Sequence, residues 1–313
     1  MTPPLSSPSS VTVRVPAKVN VQLAVAGPRA DGFHALANVF LAVSLYDHVT
    51  VTPADSLRIT CSGPDADQVP LDASNLAARA ALALAGRYGR TADVHLHIDK
   101  DIPVAGGMAG GSADGAGALL ACDALWGTGA SRAELLDICA SLGSDVPFGL
   151  TGGAALGEGR GEVLTPLETG GTFHWVFAVA DGGLSTPAVY GECDRLRAAS
   201  GTDPGPAQPA ASPALLAALR AGDAAALASA VSNDLQPAAL SLRPSLASTL
   251  AAGTEAGALA ALVSGSGPTA AFLVKSPEDG ERVAAALAAS GTCRAVRGAA
   301  GPAEGATVVA RRP

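Results

Sequence analysis

A glycine cluster between a strand-like and a helix-like segment constrains this chain more than any other feature. The cluster, residues 103–112 with the sequence PVAGGMAGGS, is called the glycine loop below. Glycines let a backbone approach a ligand closely and turn several N–H groups toward one point. The helix that follows adds the positive end of its dipole. The glycine loop therefore predicts a binding site for an anion such as phosphate.

The spacing of these glycines matches neither the P-loop pattern G-x-x-x-x-G-K-[ST] nor the dinucleotide pattern G-x-G-x-x-G. An alternative interpretation is a flexible loop, since the chain contains 37 glycines. A second glycine turn, residues 264–267 (SGSG), lies between two apolar segments. By itself it is typical of a structural turn, but paired with the glycine loop it would close over phosphates from another domain.

Composition excludes several classes of protein. Hydrophobic residues make up 48% of the 313 and charged residues 15%, which argues against general disorder. A net charge of −8 without a basic run argues against nucleic acid or an anionic membrane as partner. The five cysteines are scattered, which indicates buried thiols in a reducing compartment. Residues 1–10 lack the features of a signal peptide, and no apolar stretch is long enough to span a bilayer, so we expect a cytoplasmic protein.

Strand and helix patterns alternate irregularly, which predicts an α+β fold of packed layers rather than regular βαβ units. Residues 11–15 alternate as a strand that ends at Pro16. Ser131 and Glu134 form a capping box that predicts a helix start. We expect two domains, residues 1–165 and 166–313, and no regular structure in the low-complexity segment 199–213.

Lys18 and Asp145 each allow two interpretations. A lysine at a strand edge is usually a solvated gatekeeper, and Asp145, just before Val146 and Pro147, is typical of a helix N-cap. The functional interpretation makes Asp145 a carboxylate that orients or deprotonates an attacking hydroxyl.

Other polar groups favour simpler interpretations. His95 and His97 share one face of a strand, but the sequence offers no third metal ligand nearby, so we expect them to face solvent. Asp65 and Asp67 lie in a polar turn and are expected to be solvated.

Five segments in order resemble the GHMP kinases: residues 16–20 (PAKVN), 29–34 (RADGFH), the glycine loop, 142–147 (LGSDVP) and 264–267 (SGSG). The resemblance covers nearly the whole chain from about residue 11. It implies a two-domain fold with a ribosomal S5-like N-terminal half. The first two segments further imply transfer of a phosphoryl group from ATP to the 2-hydroxyl of cytidine diphosphate methylerythritol, in non-mevalonate isoprenoid biosynthesis.

The resemblance also implies roles for single residues. Asp145 would position or deprotonate the hydroxyl and contact the substrate, Lys18 would stabilise charge there, and Asn20 would lie beside the methylerythritol. The cofactors implied are ATP and Mg²⁺, with no protein residue assigned as a metal ligand. The only partner implied is the small-molecule substrate, for a monomer or a homodimer.

Two further groups of residues follow from the resemblance. Phe33 would stack on the cytosine with Tyr190 on its opposite face, while His34 would hydrogen-bond the edge of the base. The positions implied around the triphosphate and adenine of ATP are Asn75, Leu76, Lys100, Pro103, Gly106, Gly107, Gly110, Gly111 and Ser112.

The chain departs from the family pattern at three places. Met108 and Ala109 replace the usual Gly and Leu, and Phe33 replaces the commoner Tyr, which keeps stacking but loses a hydroxyl. Asp114 places a carboxylate in the expected first helical turn, either to complement the helix dipole or to help hold Mg²⁺. Two other functions remain open: a kinase of the same family for a different alcohol, and a silent relative that only binds a ligand.

Overall fold

The structure is a computed structural model that describes residues 9–202 and 208–312. The N-terminal residues 1–8 and part of the low-complexity segment lie outside the described residues. Helices and strands are mixed along the chain, which confirms the expected α+β class.

The larger of two sheets contains strands from both ends of the chain. Its strands are β1 (Ser10–Pro28), β2 (His34–Pro53), β3 (Arg58–Ser62), β4 (Val94–Asp99), β5 (Ala154–Glu158), β6 (Val163–Leu167), β8 (Ser232–Asn233) and β12 (Thr307–Arg312). The main order is β12-β1-β2-β4-β3, while β5 pairs with β2 and β6, and β8 pairs with β1. The last strand thus returns to the first, and the expected boundary at residue 165 falls inside β6.

The smaller sheet has four antiparallel strands in the order β11-β7-β10-β9. They are β7 (Phe173–Val179), β9 (Ala260–Val263), β10 (Ala270–Val274) and β11 (Ala295–Gly301). One apolar cluster contains Val15 and Leu41 of the larger sheet together with Trp175 and Leu273 of the smaller sheet. The two sheets therefore share a core, and the cavity described below lies beside it.

Ten α-helices are described: α1 (Leu76–Arg87), α2 (Gly110–Trp126), α3 (Arg132–Leu142), α4 (Val146–Thr151), α5 (Thr186–Ser200), α6 (Pro213–Ala221), α7 (Ala224–Ala230), α8 (Gln236–Leu242), α9 (Ser245–Glu255) and α10 (Pro277–Ser290). The predicted capping box is confirmed, since Ser131 and Glu134 bond each other's backbone N–H at the start of α3. None of the described helices is long and apolar enough to cross a membrane.

Strand β1 does not end at Pro16 as the sequence indicated. It continues to Pro28, and its pairing with β2 shifts register between Pro16 and Ala17. A β-bulge tolerates a proline because the ladder there needs no N–H donor. The prediction was wrong because the bulge depends on the partner strand. Its consequence is functional, since Lys18 lies within a continuous strand rather than at a strand end.

Candidate active site

A cavity of about 820 Å³ is lined by residues from both halves of the chain. The glycine loop and the start of α2 line one part, the second glycine turn and α5 line another, and the turn between β1 and β2 lines a third. Most of the site residues expected from the sequence meet here. Those lining it are Lys18, Asn20, Phe33, His34, Leu76, Gly106, Gly107, Gly110, Gly111, Ser112, Asp145 and Tyr190.

Lys18 and Asp145 converge in this cavity, although 127 positions separate them. Lys18 Nζ lies 3.7 Å from Asp145 Oδ2, and the lysine side chain is only 6% exposed. Burial lowers the pKa of the Lys18 ammonium, while the charge of Asp145 opposes that shift. Asp145 occupies the N-cap position of α4, but its side chain makes no capping hydrogen bond. The carboxylate is thus free to face the cavity, and Lys18 is no solvated gatekeeper.

A polar network extends from Lys18 into the larger sheet. Lys18 Nζ donates to Asn20 Oδ1 at 2.5 Å, and Asn20 Nδ2 donates to Asn38 Oδ1 at 2.7 Å. Lys18 and Asn20 are two residues apart on β1, so their side chains share one face of the strand. This fixes the orientation of the Asn20 amide next to the ammonium. Asn38 also lines the cavity and was missed by the sequence analysis.

The glycine loop leads directly into α2, which begins at Gly110, inside the loop itself. The N-cap residue Ala109 has φ 60° and makes no side-chain capping bond. The first N–H groups of a helix have no intrahelical partner, so α2 presents free donors beside the cavity. This geometry suits an anion, as the loop sequence predicted.

The two glycine segments touch each other. The carbonyl oxygen of Gly107 accepts hydrogen bonds from Lys18 Nζ and Ser264 Oγ, both at 3.0 Å. On the other side, Ser266 Oγ lies 2.9 Å from Thr186 Oγ1 at the start of α5. The second glycine turn is therefore part of the cavity wall and also holds the shape of the glycine loop.

Lys100 lies beneath the glycine loop. It does not line the cavity, although we expected it near the adenine of ATP. Its ammonium donates to Asp47 Oδ2 at 2.5 Å and Asp114 Oδ2 at 2.7 Å, and its side chain is 2% exposed. Asp47 Oδ1 also accepts from the N–H groups of Asp101 and Ile102, at 2.8 Å each. Lys100 and Asp47 thus hold in place the backbone that leads into the glycine loop. The sequence did not predict this role.

The position of Asp114 agrees with neither of its two expected roles, which were to complement the helix dipole or to help hold Mg²⁺. Because α2 begins at Gly110, Asp114 is its fifth residue rather than part of the first turn. Its carboxyl is buried against Lys100, and its Oδ1 has no hydrogen-bond partner among the described residues. Burial raises the pKa of this carboxyl, an effect that Lys100 opposes.

Asn75 and Pro103 also lie away from the cavity wall. Asn75 caps α1, as its Oδ1 accepts from Ala77 N at 2.8 Å and its Nδ2 donates to the Pro70 carbonyl. Pro103 lies at the start of the glycine loop, near Arg294. Their neighbour Leu76 does line the cavity, so the backbone turn at Asn75 serves to place Leu76.

The far part of the cavity carries aromatic side chains. Phe33 is 51% exposed, and the Arg160 guanidinium lies 5.2 Å from its ring centroid. The rings of His34 and Tyr190 are 5.0 Å apart, and His34 Nε2 contacts the carboxylate of Asp194. Arg160 and Asp194 were missed. The spacing of Tyr190 and Asp194, four residues apart, is the signal that could have placed both on one helix face.

Asp65 is buried and paired, contrary to the expectation that it is solvated. Its Oδ2 accepts from Arg294 Nη2 at 2.6 Å and from Val104 N at 3.2 Å. The hydrogen bond from Arg294 lowers the pKa of this carboxyl below its ordinary 3.8. The carboxylate therefore links the glycine loop to the residues before β11. His95 and His97 likewise are half-buried and hydrogen-bond Thr60, and the described residues contain no group of three or more His, Cys, Asp or Glu side chains that could hold a metal ion.

We expect Asp65→Asn to lower the free energy of unfolding by about 2 kcal/mol at pH 7, because it weakens a charge-assisted hydrogen bond. Since the folded-state pKa of Asp65 is depressed, this stabilisation is present above pH 3.8 and lost as the pH falls through the depressed pKa. Urea unfolding at pH 7 and at pH 3 measures the difference. The neighbouring exposed carboxylate, in Asp67→Asn, is the control. An equal loss at both pH values would contradict the ion pair.

Comparisons with known proteins agree with this geometry. The family model GHMP kinases N terminal domain matches residues 75–155, and the model GHMP kinases C terminal matches residues 215–293. The chain is 74% identical to the 4-diphosphocytidyl-2-C-methyl-D-erythritol kinase of Streptomyces avermitilis, over 96% of this chain and 100% of the relative. Identity to the protein of the same name from Streptomyces coelicolor is 73%, over 96% and 99% of the two chains.

Two solved structures show the same fold. A crystal structure of 4-(cytidine 5'-diphospho)-2C-methyl-D-erythritol kinase has a TM-score of 0.74 at 32% identity, covering 92% of this chain and 98% of that chain. The mevalonate kinase of L. major, solved with R-mevalonate, has a TM-score of 0.70 at 14% identity, covering 96% and 98%. The second likeness is one of fold alone.

Proposed function

The chain belongs to the 4-diphosphocytidyl-2-C-methyl-D-erythritol kinases of the GHMP kinase family, and from this premise we propose how its cavity works. The enzyme transfers the γ-phosphoryl group of ATP to the 2-hydroxyl of 4-diphosphocytidyl-2-C-methyl-D-erythritol. This is a step in the non-mevalonate synthesis of isoprenoid precursors. The observation that carries the proposal is the approach of Lys18 Nζ to Asp145 Oδ2, 3.7 Å apart beside the glycine loop.

The reaction needs positioning and charge stabilisation more than covalent help from the protein. The substrate hydroxyl oxygen forms a bond to the γ-phosphorus, the bond from that phosphorus to the β,γ-bridging oxygen breaks, and ADP leaves. Asp145 orients the hydroxyl and accepts its proton. Lys18 supplies a fixed cation where negative charge develops, and its burial strengthens that interaction.

The glycine loop holds the triphosphate. The free N–H groups at the start of α2, near Gly110 and Gly111, donate to phosphate oxygens. Because Gly107 O is held by Lys18 and Ser264, the shape of the loop is fixed before ATP binds. The same carbonyl ties the catalytic ammonium to the loop, so the two groups keep their relative positions.

Mg²⁺ also fits this site. Mg²⁺ binds through one or two carboxylates together with substrate phosphates and water. Asp145 and Ser112 are oxygen donors on the cavity wall, whereas Asp114 is buried against Lys100. Asp145 and Ser112 are therefore the residues that would hold the ion. When bound, Mg²⁺ neutralises negative charge on the phosphates.

The aromatic part of the cavity binds the cytosine. Phe33 and Tyr190 both line the cavity and offer faces for a flat base, while His34 offers a hydrogen bond to its edge. Unmatched buried polar groups are costly, so this part of the site selects the cytidyl group.

Phe33→Ala should raise the KM of the cytidyl substrate by about tenfold, since stacking contributes roughly 1–3 kcal/mol per base, and leave the KM of ATP unchanged. Phe33 is 51% exposed, so its truncation spares the core. Leu71→Ala, which removes an exposed apolar side chain outside the cavity, is the matched control. Steady-state kinetics with each substrate varied in turn is the measurement. Equal rises in both KM values would mean that Phe33 supports the fold instead.

A direct assay tests the proposed function. ATP consumption is followed with the cytidyl substrate, homoserine and mevalonate, and the phosphorylated carbon is identified in the product. Turnover of the cytidyl substrate alone, with the new phosphate on the 2-hydroxyl, is the expected result. Equal turnover with another alcohol would favour a different kinase of the family. Tight binding without turnover would favour a silent ligand-binding relative.

We also propose a division into two domains at residue 165 and a monomeric or homodimeric state in solution. A cytoplasmic location is supported by the five cysteines, all of which are free thiols.

A further inference from the structure

The imidazole of His34 is held by a carboxylate from the other half of the chain. His34 Nε2 lies 3.0 Å from Asp194 Oδ1 and 3.1 Å from Asp194 Oδ2. His34 is the first residue of β2, and Asp194 lies on α5. The His34 side chain is 8% exposed and that of Asp194 is 31% exposed, so the pair is shielded from bulk water on the histidine side.

A second contact restricts the same ring. Tyr190, one turn before Asp194 on α5, packs its ring 5.0 Å from the His34 ring with a tilt of 38°. Residues four apart on a helix lie on one face, so α5 presents both contacts to His34 together. The two contacts together therefore hold the imidazole in one position and one orientation.

The Asp194 contact also decides which nitrogen of His34 carries the proton. A carboxylate only accepts hydrogen bonds, so Nε2 must be the donor. In a neutral imidazole the other nitrogen, Nδ1, is then an acceptor. Nδ1 has no hydrogen-bond partner among the described residues and is not one of their buried unpaired atoms, and His34 lines the cavity. In the neutral imidazole, Nδ1 is therefore available to a ligand as an acceptor.

This polarity separates two pyrimidine bases. Cytosine carries an amino group at C4, which donates, whereas uracil carries a carbonyl oxygen there, which accepts. An acceptor at Nδ1 forms a hydrogen bond with the amino group of cytosine. The carbonyl oxygen of uracil instead presents a lone pair to Nδ1, and no hydrogen bond forms. We propose that Asp194 is a positioning residue for base recognition, which holds His34 as the Nε2–H tautomer so that Nδ1 accepts from the 4-amino group of cytosine. The proposal rests on the cytidyl substrate of the proposed function.

The kinetic test compares the natural substrate with its uridine analogue. Asp194→Asn provides an amide that either donates to or accepts from Nε2, so the tautomer is no longer fixed. The expected result is a fall of about tenfold or more in the ratio of kcat/KM for the cytidyl over the uridyl compound. The fall arises mainly from a higher KM for the cytidyl compound, with kcat changed less than about threefold. The control Glu192→Gln removes a charge from the same helix, where Glu192 contacts Arg195 and Ser241 rather than His34.

A spectroscopic test does not depend on activity. The ¹⁵N chemical shifts of the imidazole report the tautomer in the full chain without substrate, and His34→Gln identifies the His34 signals among those of five histidines. The expected result is the Nε2–H form in the wild type and in Glu192→Gln, and a mixture in Asp194→Asn. An Nδ1–H form in the wild type, or an unchanged base preference in a folded Asp194→Asn, would overturn the proposal. Failure of the wild type to phosphorylate either compound would instead reject the proposed function, and the tautomer would still decide the role of Asp194.

Discussion

Asp145→Asn is expected to lower kcat about a hundredfold or more while the protein remains folded. A positioned acid or base typically contributes 10²–10⁴-fold to a rate, and the amide can orient the hydroxyl but cannot accept its proton. The Asp145 side chain caps no helix, so the substitution leaves the start of α4 intact. It also removes a charge that opposes the lowering of the Lys18 pKa. Steady-state kinetics with saturating ATP and substrate is the measurement.

The control for this experiment is Asp137→Asn, an exposed carboxylate on α3 without an ion pair in the described part of the chain. It makes the same change in net charge and should leave kcat within about twofold. Unchanged thermal unfolding of both variants would show that the fold is preserved. Retention of kcat within threefold in Asp145→Asn would argue against general-base catalysis and leave Asp145 only a role in orienting the hydroxyl.

Gly107→Ala should lower kcat/KM for ATP by more than about a hundredfold, the loss that misplacement of a site by about 1 Å can cause. Gly107 has φ 77°, which disfavours a side chain. A Cβ there would also lie 2.1 Å from the Ser264 carbonyl oxygen and 3.1 Å from Gly267 N. Because both neighbours are backbone atoms, the loop must move, and the bonds from Lys18 and Ser264 to the Gly107 carbonyl are disturbed.

The measurement pairs ATP kinetics with thermal unfolding. Gly86→Ala is the control, since Gly86 lies inside α1 and a Cβ there meets nothing within 4 Å. Alanine is favoured over glycine in a helix interior, so that variant should unfold at the same or a higher temperature with unchanged kinetics. Normal kinetics in Gly107→Ala would mean that the second glycine turn does not determine the shape of the loop.

The chemistry of the site could be predicted from the sequence where its residues lie in short, distinctive segments. The glycine loop, Lys18 and Asp145 each lie in a distinctive local pattern, and the structure brings them to one cavity. The cap at Ser131 was likewise readable, because a cap depends on residues within one helical turn. The irregular alternation of strand and helix patterns indicated the α+β class, and the whole-chain resemblance added the expectation of a two-domain fold.

The contacts that the sequence missed join residues far apart in the chain. Asp65 and Arg294 are 229 positions apart, and His34 and Asp194 are 160 apart. No local pattern distinguishes such a carboxylate from a solvated one. Helix α5 was itself not predicted, so the shared face of Tyr190 and Asp194 was not considered. Lys100 was misplaced for the same reason, since its partner Asp47 lies on a strand 53 positions earlier.

The pairing of β12 with β1 has a consequence for biosynthesis. Residues 10–14 pair with residues 307–312, so one edge of the larger sheet stays unpaired until the last strand has left the ribosome. An exposed strand edge is a template for pairing with other chains. This edge of β1 is therefore open to wrong pairing until residues 307–312 are available, and closure of the sheet is a late event in folding.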